Sequence, residues 1–382
     1  MSANAQDIIR IARDFAEEAY WDLQVAKRLI EDLKLDICSN NDEVFYIGRR
    51  VLYMLQQASE KASKAYFFTY FKLWIESTIS ITGQVDRNRE PMIFNIRRKF
   101  IELSRNLEPK AIGHKPHSTF LKVVNSIYEI FYKKKEYTIK YMQLFVDNLS
   151  QLLAQGIMSY LKEHFKKRNE IPLNTSDYEK KETRIKDSLK NFLSKIIIEP
   201  IEKSKLSESE SKNIESICKK KKDNRLLPPC IDENVLEHLK PIKEKYLGLE
   251  PTIEKHIEKE QLYEHVKKSN LDSFIAEIID AIGIISENDV RKHIESYDKG
   301  NLKKLIDITS YYSFSIYLSE FLSKVYPCLA LYETMGRYPD YEIDMIKNRN
   351  GICSDIKKIK LIKEEVEFLV DIVKNSVEVI KK

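Results

Sequence analysis

With 382 residues, the chain is long enough for two or three domains of ordinary size, and its formal net charge of +5 is small for that length. A hydrophobic fraction of 43% beside a charged fraction of 32% supports a packed core and excludes wholesale disorder. Only 9 glycines occur, about 2% where about 7% is usual, which argues against Rossmann and P-loop nucleotide folds, α/β-hydrolases and most β-sandwiches.

The apolar residues Ile8, Ile11, Phe15, Ala19, Leu23, Ala26, Ile30 and Leu33 recur every three or four positions, which predicts an amphipathic helix over 5–34 with charged residues on its other face. Ser39 to Asp42 is a polar break with N-cap chemistry. A second long helix is predicted over 43–78, with Val44, Ile47, Val51, Leu55, Ala58, Ala62 and Ala65 as its buried stripe. Small residues at Ala58, Ser59, Ala62, Ser63 and Ala65 let another helix come close. The aromatic run from Tyr66 to Trp74 reads as core or self-association surface, with a base-stacking surface as the alternative. Gly83 and Pro91 bracket a connector before a helix at 92–104 with a basic face, and 106–117 reads as a loop. A long helical stretch follows at 118–168, broken near Lys133, Lys134 and Lys135.

Beyond a polar linker at 169–178, helix returns at 179–203, and the Ser/Lys/Glu-rich segment 204–231 is the candidate for flexibility. Shorter helices are expected over 233–310, with Ser286 as an N-cap, then helix at 301–335, a loop at 336–354 and a final amphipathic helix at 355–380. No strand pattern occurs, so the expected class is all-α. The five cysteines, Cys38, Cys218, Cys230, Cys328 and Cys353, form no CxxC pair and are odd in number, so neither a disulfide framework nor a zinc knuckle is expected. The N-terminal residues lack a secretory apolar run, and no stretch reaches about 18 apolar residues, so the expectation is a cytoplasmic protein without membrane spans.

The run Gln56-Gln57-Ala58-Ser59-Glu60-Lys61-Ala62-Ser63-Lys64-Ala65 resembles the second-helix signature of HEPN domains, a superfamily of helical bundles in prokaryotic toxin–antitoxin and defence proteins. Two more pieces follow in order. A long helix with Ala19, Asp22 and Ala26 precedes the run, and Ala330-Leu331-Tyr332-Glu333-Thr334-Met335-Gly336-Arg337-Tyr338-Pro339-Asp340 looks like the late motif, in which a helix ends in an Arg-Tyr-Pro-Asp loop before a last helix. His114 sits where such domains often place a histidine before the third helix. The resemblance implies an up-and-down bundle whose N-terminal half lies in 1–117 and whose C-terminal half lies in 309–382. Residues 118–308 are then a helical insertion, larger than a compact member of the family carries. It also implies pairing into a homodimer, and a nucleotide, RNA or small nucleotidyltransferase as partner.

HEPN ribonucleases carry arginine, then four to six residues, then histidine; the imidazole moves the proton and the guanidinium steadies the phosphate. None of the 7 histidines has an arginine at that spacing; Arg105 lies nine residues before His114. The expectation is therefore a protein without catalysis. An atypical endoribonuclease site from Arg105, His114 and Arg337 is the alternative, and a helical scaffold unrelated to HEPN is a third reading. Glu60, Lys61, Lys64, His114, Arg337 and Asp340 are the candidate ligand or partner contacts. Glu60 and Lys64 also read as a plain i,i+4 surface pair contributing about 0.3–0.5 kcal/mol. Arg337 reads first as an ion pair with Asp340 or Glu333, and otherwise as a grip on a phosphate or carboxylate. His114 and His117 alone make no metal site, and no cofactor is expected. The lysine runs at 133–135, 166–168 and 219–222 could follow a phosphate backbone, but in a chain this charged they read first as solvated faces.

Overall fold

A computed structural model describes residues 3–31, 33–107, 117–167, 175–206, scattered positions between 208 and 239, 314–315, 317–337 and 348–379. Helix α1 spans Ala3–Glu31, and its Ala12, Ala16, Ala19, Leu23, Ala26 and Ile30 are buried. Their spacing alternates four and three, and the small side chains allow a close helix–helix seam. Helix α2, Asp42–Tyr66, answers with Val44, Gly48, Val51, Leu55, Ala58, Ala62 and Ala65, all buried at the same alternation. Asn41 caps α2, its side chain accepting from the Val44 amide at 3.1 Å. A 3₁₀ turn, Leu35–Asn40, connects the two.

The helix expected over 43–78 is interrupted. At Phe67–Phe71 the chain widens into one π-turn before α3, Lys72–Thr82. Thr69 Oγ1 donates to the carbonyls of Ala65 and Tyr66, both at 3.1 Å, inside this distortion. The aromatic run is interior: Tyr66, Phe67, Phe71 and Trp74 are almost wholly buried, and Trp74 packs on Phe71, Phe100 and Phe131. It is core, as expected, and not a base-stacking or self-association surface. Gly83 ends α3 at φ 65°, a left-handed conformation that suits glycine.

Helix α4, Pro91–Asn106, begins with its proline at N1, where a missing amide costs nothing. Helix α5, His117–Tyr128, runs into a second π-turn at Glu129–Lys133, and α6, Lys135–Lys167, follows at the break expected near 133–135. Thr138 Oγ1 donates to the Ile130 carbonyl at 2.6 Å, occupying an acceptor within that turn. Helix α7, Thr175–Lys203, packs along α6. Residues 317–324 are helical and pass through a turn at Val325 into α8, Tyr326–Arg337. Helix α9, Arg349–Lys357, occupies the end of the stretch expected as a loop over 336–354. A turn at Lys358 separates it from α10, Ile359–Val379, so the single last helix is two. Ser286 and most of 204–310 lie outside the described residues.

Among the described residues there is no strand, and the class is all-α. Helix α2 is the hub. It packs on α1, α8, α9 and α10, which joins the first eighty residues to the last seventy, while α3, α4, α5 and α6 form an adjoining layer. One continuous apolar core runs through both groups, and Phe120 of α5 touches Phe67 and Tyr326. Helix α9 approaches α2 so closely that a Cβ on Gly48 would lie 2.8 Å from the Ile356 side chain.

The cysteines depart from expectation. Cys38 and Cys353 form a buried disulfide across 315 positions, tying the 3₁₀ turn to α9. Cys328 is disulfide-bonded as well, to a partner outside the described residues. Linear spacing cannot reveal such pairs, because the two halves meet only after α9 packs on α2. Beside the bridge, Arg349 pairs with Asp42, donates to the Cys38 carbonyl at 3.1 Å and lies 4.7 Å from the Phe45 ring centre. The paired substitution Cys38→Ser with Cys353→Ser is expected to lower stability by roughly 2–4 kcal/mol, because so long a loop restricts the unfolded chain. Chemical denaturation checks this, and unchanged stability would contradict it.

Candidate functional site: the polar core of α2

The run that carries the resemblance lies on α2, where its polar residues turn inward. Gln56, Ser59 and Ser63 are fully buried, and Glu60 and Lys64 retain only 7% and 8% exposure. The pair Glu60–Lys64 is therefore not the solvated surface pair that its spacing suggests. Lys64 Nζ meets Glu60 Oε1 at 2.8 Å and lies 5.6 Å and 5.9 Å from the ring centres of Phe15 and Phe120.

The other carboxylate oxygen faces α8. Tyr326 donates its hydroxyl to Glu60 Oε2 at 2.8 Å, and Gln56 Nε2 donates to the same oxygen at 2.9 Å and to the Tyr326 hydroxyl at 3.1 Å. Gln57 closes the cluster by donating to Gln56 Oε1 at 2.6 Å. Both Glu60 oxygens thus have donors, and its charge has a cation, the conditions under which a buried carboxylate is tolerable. Ser59 and Ser63 donate to carbonyls one turn back and add nothing to the cluster. Burial first, then the Glu60 charge and hydrogen bond, hold the Tyr326 phenol well above the ordinary tyrosine range.

Tyrosine facing a buried carboxylate recurs in the same half of the molecule. Tyr332 donates to Asp355 Oδ2 at 2.8 Å and Tyr317 to Glu365 Oε2 at 2.7 Å. The Glu320 charge adds to burial in holding the Tyr132 phenol well above the ordinary tyrosine range. Lys324 neutralises Glu320 at 2.9 Å, and Ser204 bonds to the same carboxylate. In each of these tyrosines burial is the largest influence and raises the phenol. None was singled out from the sequence. Glu365 had a signal: it lies in phase with Ile362, Val366 and Leu369, all buried. The Glu60–Tyr326 pairing had none.

The other candidates separate. Lys61 points to α1, bonding Asp22 at 2.8 Å and Glu18 at 3.1 Å. Burial depresses its ammonium, but the hydrogen bonds and charges of those two carboxylates outweigh it and leave the group above the ordinary lysine range. Arg105 is exposed on the last turn of α4. Arg337 is the last residue of α8, with its side chain outside the described residues, as are His114 and Asp340 entirely. The run at 133–135 is partly engaged: Lys133 pairs with Glu215 at 3.5 Å, and Lys135 donates to the carbonyls of Glu202 and of Ser204, the latter at 2.6 Å. The side chains of the two other lysine runs lie outside the described residues. Among the described residues no group of three or more His, Cys, Asp or Glu could hold a metal ion, and no helix is long and apolar enough to cross a membrane. No family model, curated protein or solved structure matches the chain.

Two outcomes follow for this core. Lys64→Met leaves the Glu60 charge buried without its cation and is expected to cost about 3–5 kcal/mol, while Lys64→Met with Glu60→Gln recovers much of the loss. Equal losses in the single and double variants would contradict it. The buried phenols also set an alkaline limit. The folded state keeps its tyrosine protons at a pH where the unfolded chain, with tyrosine near 10, releases them. Stability is therefore full below about pH 10 and falls as pH rises beyond it, and Tyr326→Phe shallows that fall. Denaturation midpoints across that range check the slope.

Proposed function

We propose that this chain is a non-catalytic, HEPN-like helical binding module that engages a nucleotide, an RNA or a protein such as a small nucleotidyltransferase, in a toxin–antitoxin or defence setting. The non-catalytic reading rests on the missing arginine–histidine spacing, and one structural observation supports it: Glu60 and Lys64 are committed to each other, and Glu60 to Gln56 and Tyr326, inside the bundle. A carboxylate this buried, with donors on both oxygens, is not presented to a substrate for proton transfer. Packing of α1 and α2 on α8 and α10 supports the bundle arrangement, since both ends of the chain share one interior. Partner contacts then fall to the surface and to the segments around His114, Arg337 and Asp340.

An atypical endoribonuclease is the second reading. It is favoured by Arg105, which is exposed on α4 without an ion-pair partner among the described residues and leads into the segment with His114. On location, the Cys38–Cys353 disulfide weighs against the expected cytoplasm and for an oxidising compartment.

The test is incubation of EDTA-treated protein with a mixed labelled RNA pool, with and without nucleotide, at low and moderate salt. The expected result is no cleavage. Salt-sensitive retention would identify nucleic acid as the ligand; no retention, with a protein that co-purifies, would identify a protein. Metal-independent cleavage that is lost in His114→Ala or Arg105→Ala would overturn the non-catalytic reading.

A further inference from the structure

Helix α9 has nine residues, fewer than the roughly 12–15 that an isolated helix needs, so it is helical only through what it packs on. It lies on α2 and on the 3₁₀ turn Leu35–Asn40, itself six residues of the weaker helical geometry. Two elements of low intrinsic stability are thus joined to each other through Cys38 and Cys353. Both cysteines are fully buried, so no reductant reaches their sulfurs while α9 is seated.

The other contacts that seat α9 are few and short in range. Ile352 and Ile356 enter the core, and Ile356 rests on α2 where a Cβ on Gly48 would lie 2.8 Å from it. Asp355 accepts from Tyr332 at 2.8 Å. Arg349 pairs with Asp42, a mostly exposed carboxylate, and such a contact contributes little. These contacts gather at the entry of α2. Gly48 lies twelve residues before Glu60, about 18 Å along the helix axis. Helices α1, α8 and α10 pack on α2 directly, and the Glu60–Tyr326 contact does not pass through α9. The strap can therefore lift while the rest of the bundle stays folded.

We propose that α9 is a redox-gated strap: two-electron reduction of the Cys38–Cys353 bond by a dithiol frees it from the entry of α2. In the first step a thiolate of the dithiol attacks one of the two sulfurs, the S–S bond breaks, and a mixed disulfide forms. The second thiol of the dithiol then displaces the protein sulfur. The products are two cysteine thiols on the chain and one oxidised dithiol, with two electrons and two protons transferred. Because the bond is buried, opening of α9 precedes reduction, and reduction removes the link that draws α9 back. The strap is shut where disulfides form and is released where a dithiol meets the chain. The inference rests on burial, element length and the position of the bond, and does not depend on the HEPN-like reading.

The experiment is hydrogen exchange on the full chain, read by mass spectrometry, before and after treatment with excess dithiothreitol. Reduction is expected to speed exchange in 349–357 and 35–40 by about tenfold or more, and to leave the amides around Glu60 and in α10 nearly unchanged. Cys328 is also disulfide-bonded, so dithiothreitol acts on more than one bond. The paired variant Cys38→Ser with Cys353→Ser removes this bond alone. Without reductant it is expected to show the fast exchange in the same two segments, with no further change there when dithiothreitol is added. Gly48→Ala supplies a second readout. Its methyl group crowds Ile356 and loosens the seat of α9, so thiol trapping is expected to show Cys38 and Cys353 reduced several-fold faster than in the wild type. Unchanged exchange in 349–357 after reduction, an equal rise across the whole bundle, or a reduction rate indifferent to Gly48→Ala would overturn the proposal.

Discussion

The Glu60 carboxylate sits buried in the C-terminal half of α2, the helix on which the rest of the bundle packs. A carboxylate in that position must be neutralised and fully hydrogen-bonded, or the core around it is lost. Lys64 supplies the charge from the same helix, one turn on, and Gln56 supplies a donor from one turn before. Tyr326 supplies the last donor from 266 positions away. The first two contacts are local and cheap in entropy. The third obliges α8 to lie across α2 in one register, because a shift of one residue would swing the phenol off the carboxylate.

Other polar pairings among the helices around α2 reinforce that register. Tyr332–Asp355 links α8 to α9, Tyr317–Glu365 links the segment before α8 to α10, and Lys27–Glu367 links α1 to α10 at 2.6 Å. The Cys38–Cys353 bridge covalently joins the entry of α2 to α9. These contacts are directional, whereas the alanine and valine seams between them are not. Apolar burial drives the helices together, and the tyrosine–carboxylate contacts choose among the ways they can pack. The same burial removes the α2 motif from solvent, and for that reason the functional reading moves to the surface.

Periodicity was enough to place α1, α2, α4 and the break before α6, because an amphipathic stripe is a local property of the chain. It was not enough to tell a buried i,i+4 ion pair from an exposed one. Glu60–Lys64 has the same spacing in either setting, and only the arrival of α8 decides. The split of the last helix at Lys358 was hidden because Ile352, Ile356, Ile359 and Ile362 continue the apolar phase through the turn. The disulfide joins cysteines too distant for any spacing rule. Glu365 and Asp355 were readable in principle as charges at apolar-phase positions, a pattern that signals a buried partner.

The central claim is that Glu60 and Tyr326 act together in holding α8 to α2. A double-mutant cycle of Glu60→Gln and Tyr326→Phe, read by chemical denaturation, tests it most directly. The account predicts a coupling of about 1–3 kcal/mol between the two positions. Additive losses, with no coupling outside error, would contradict it.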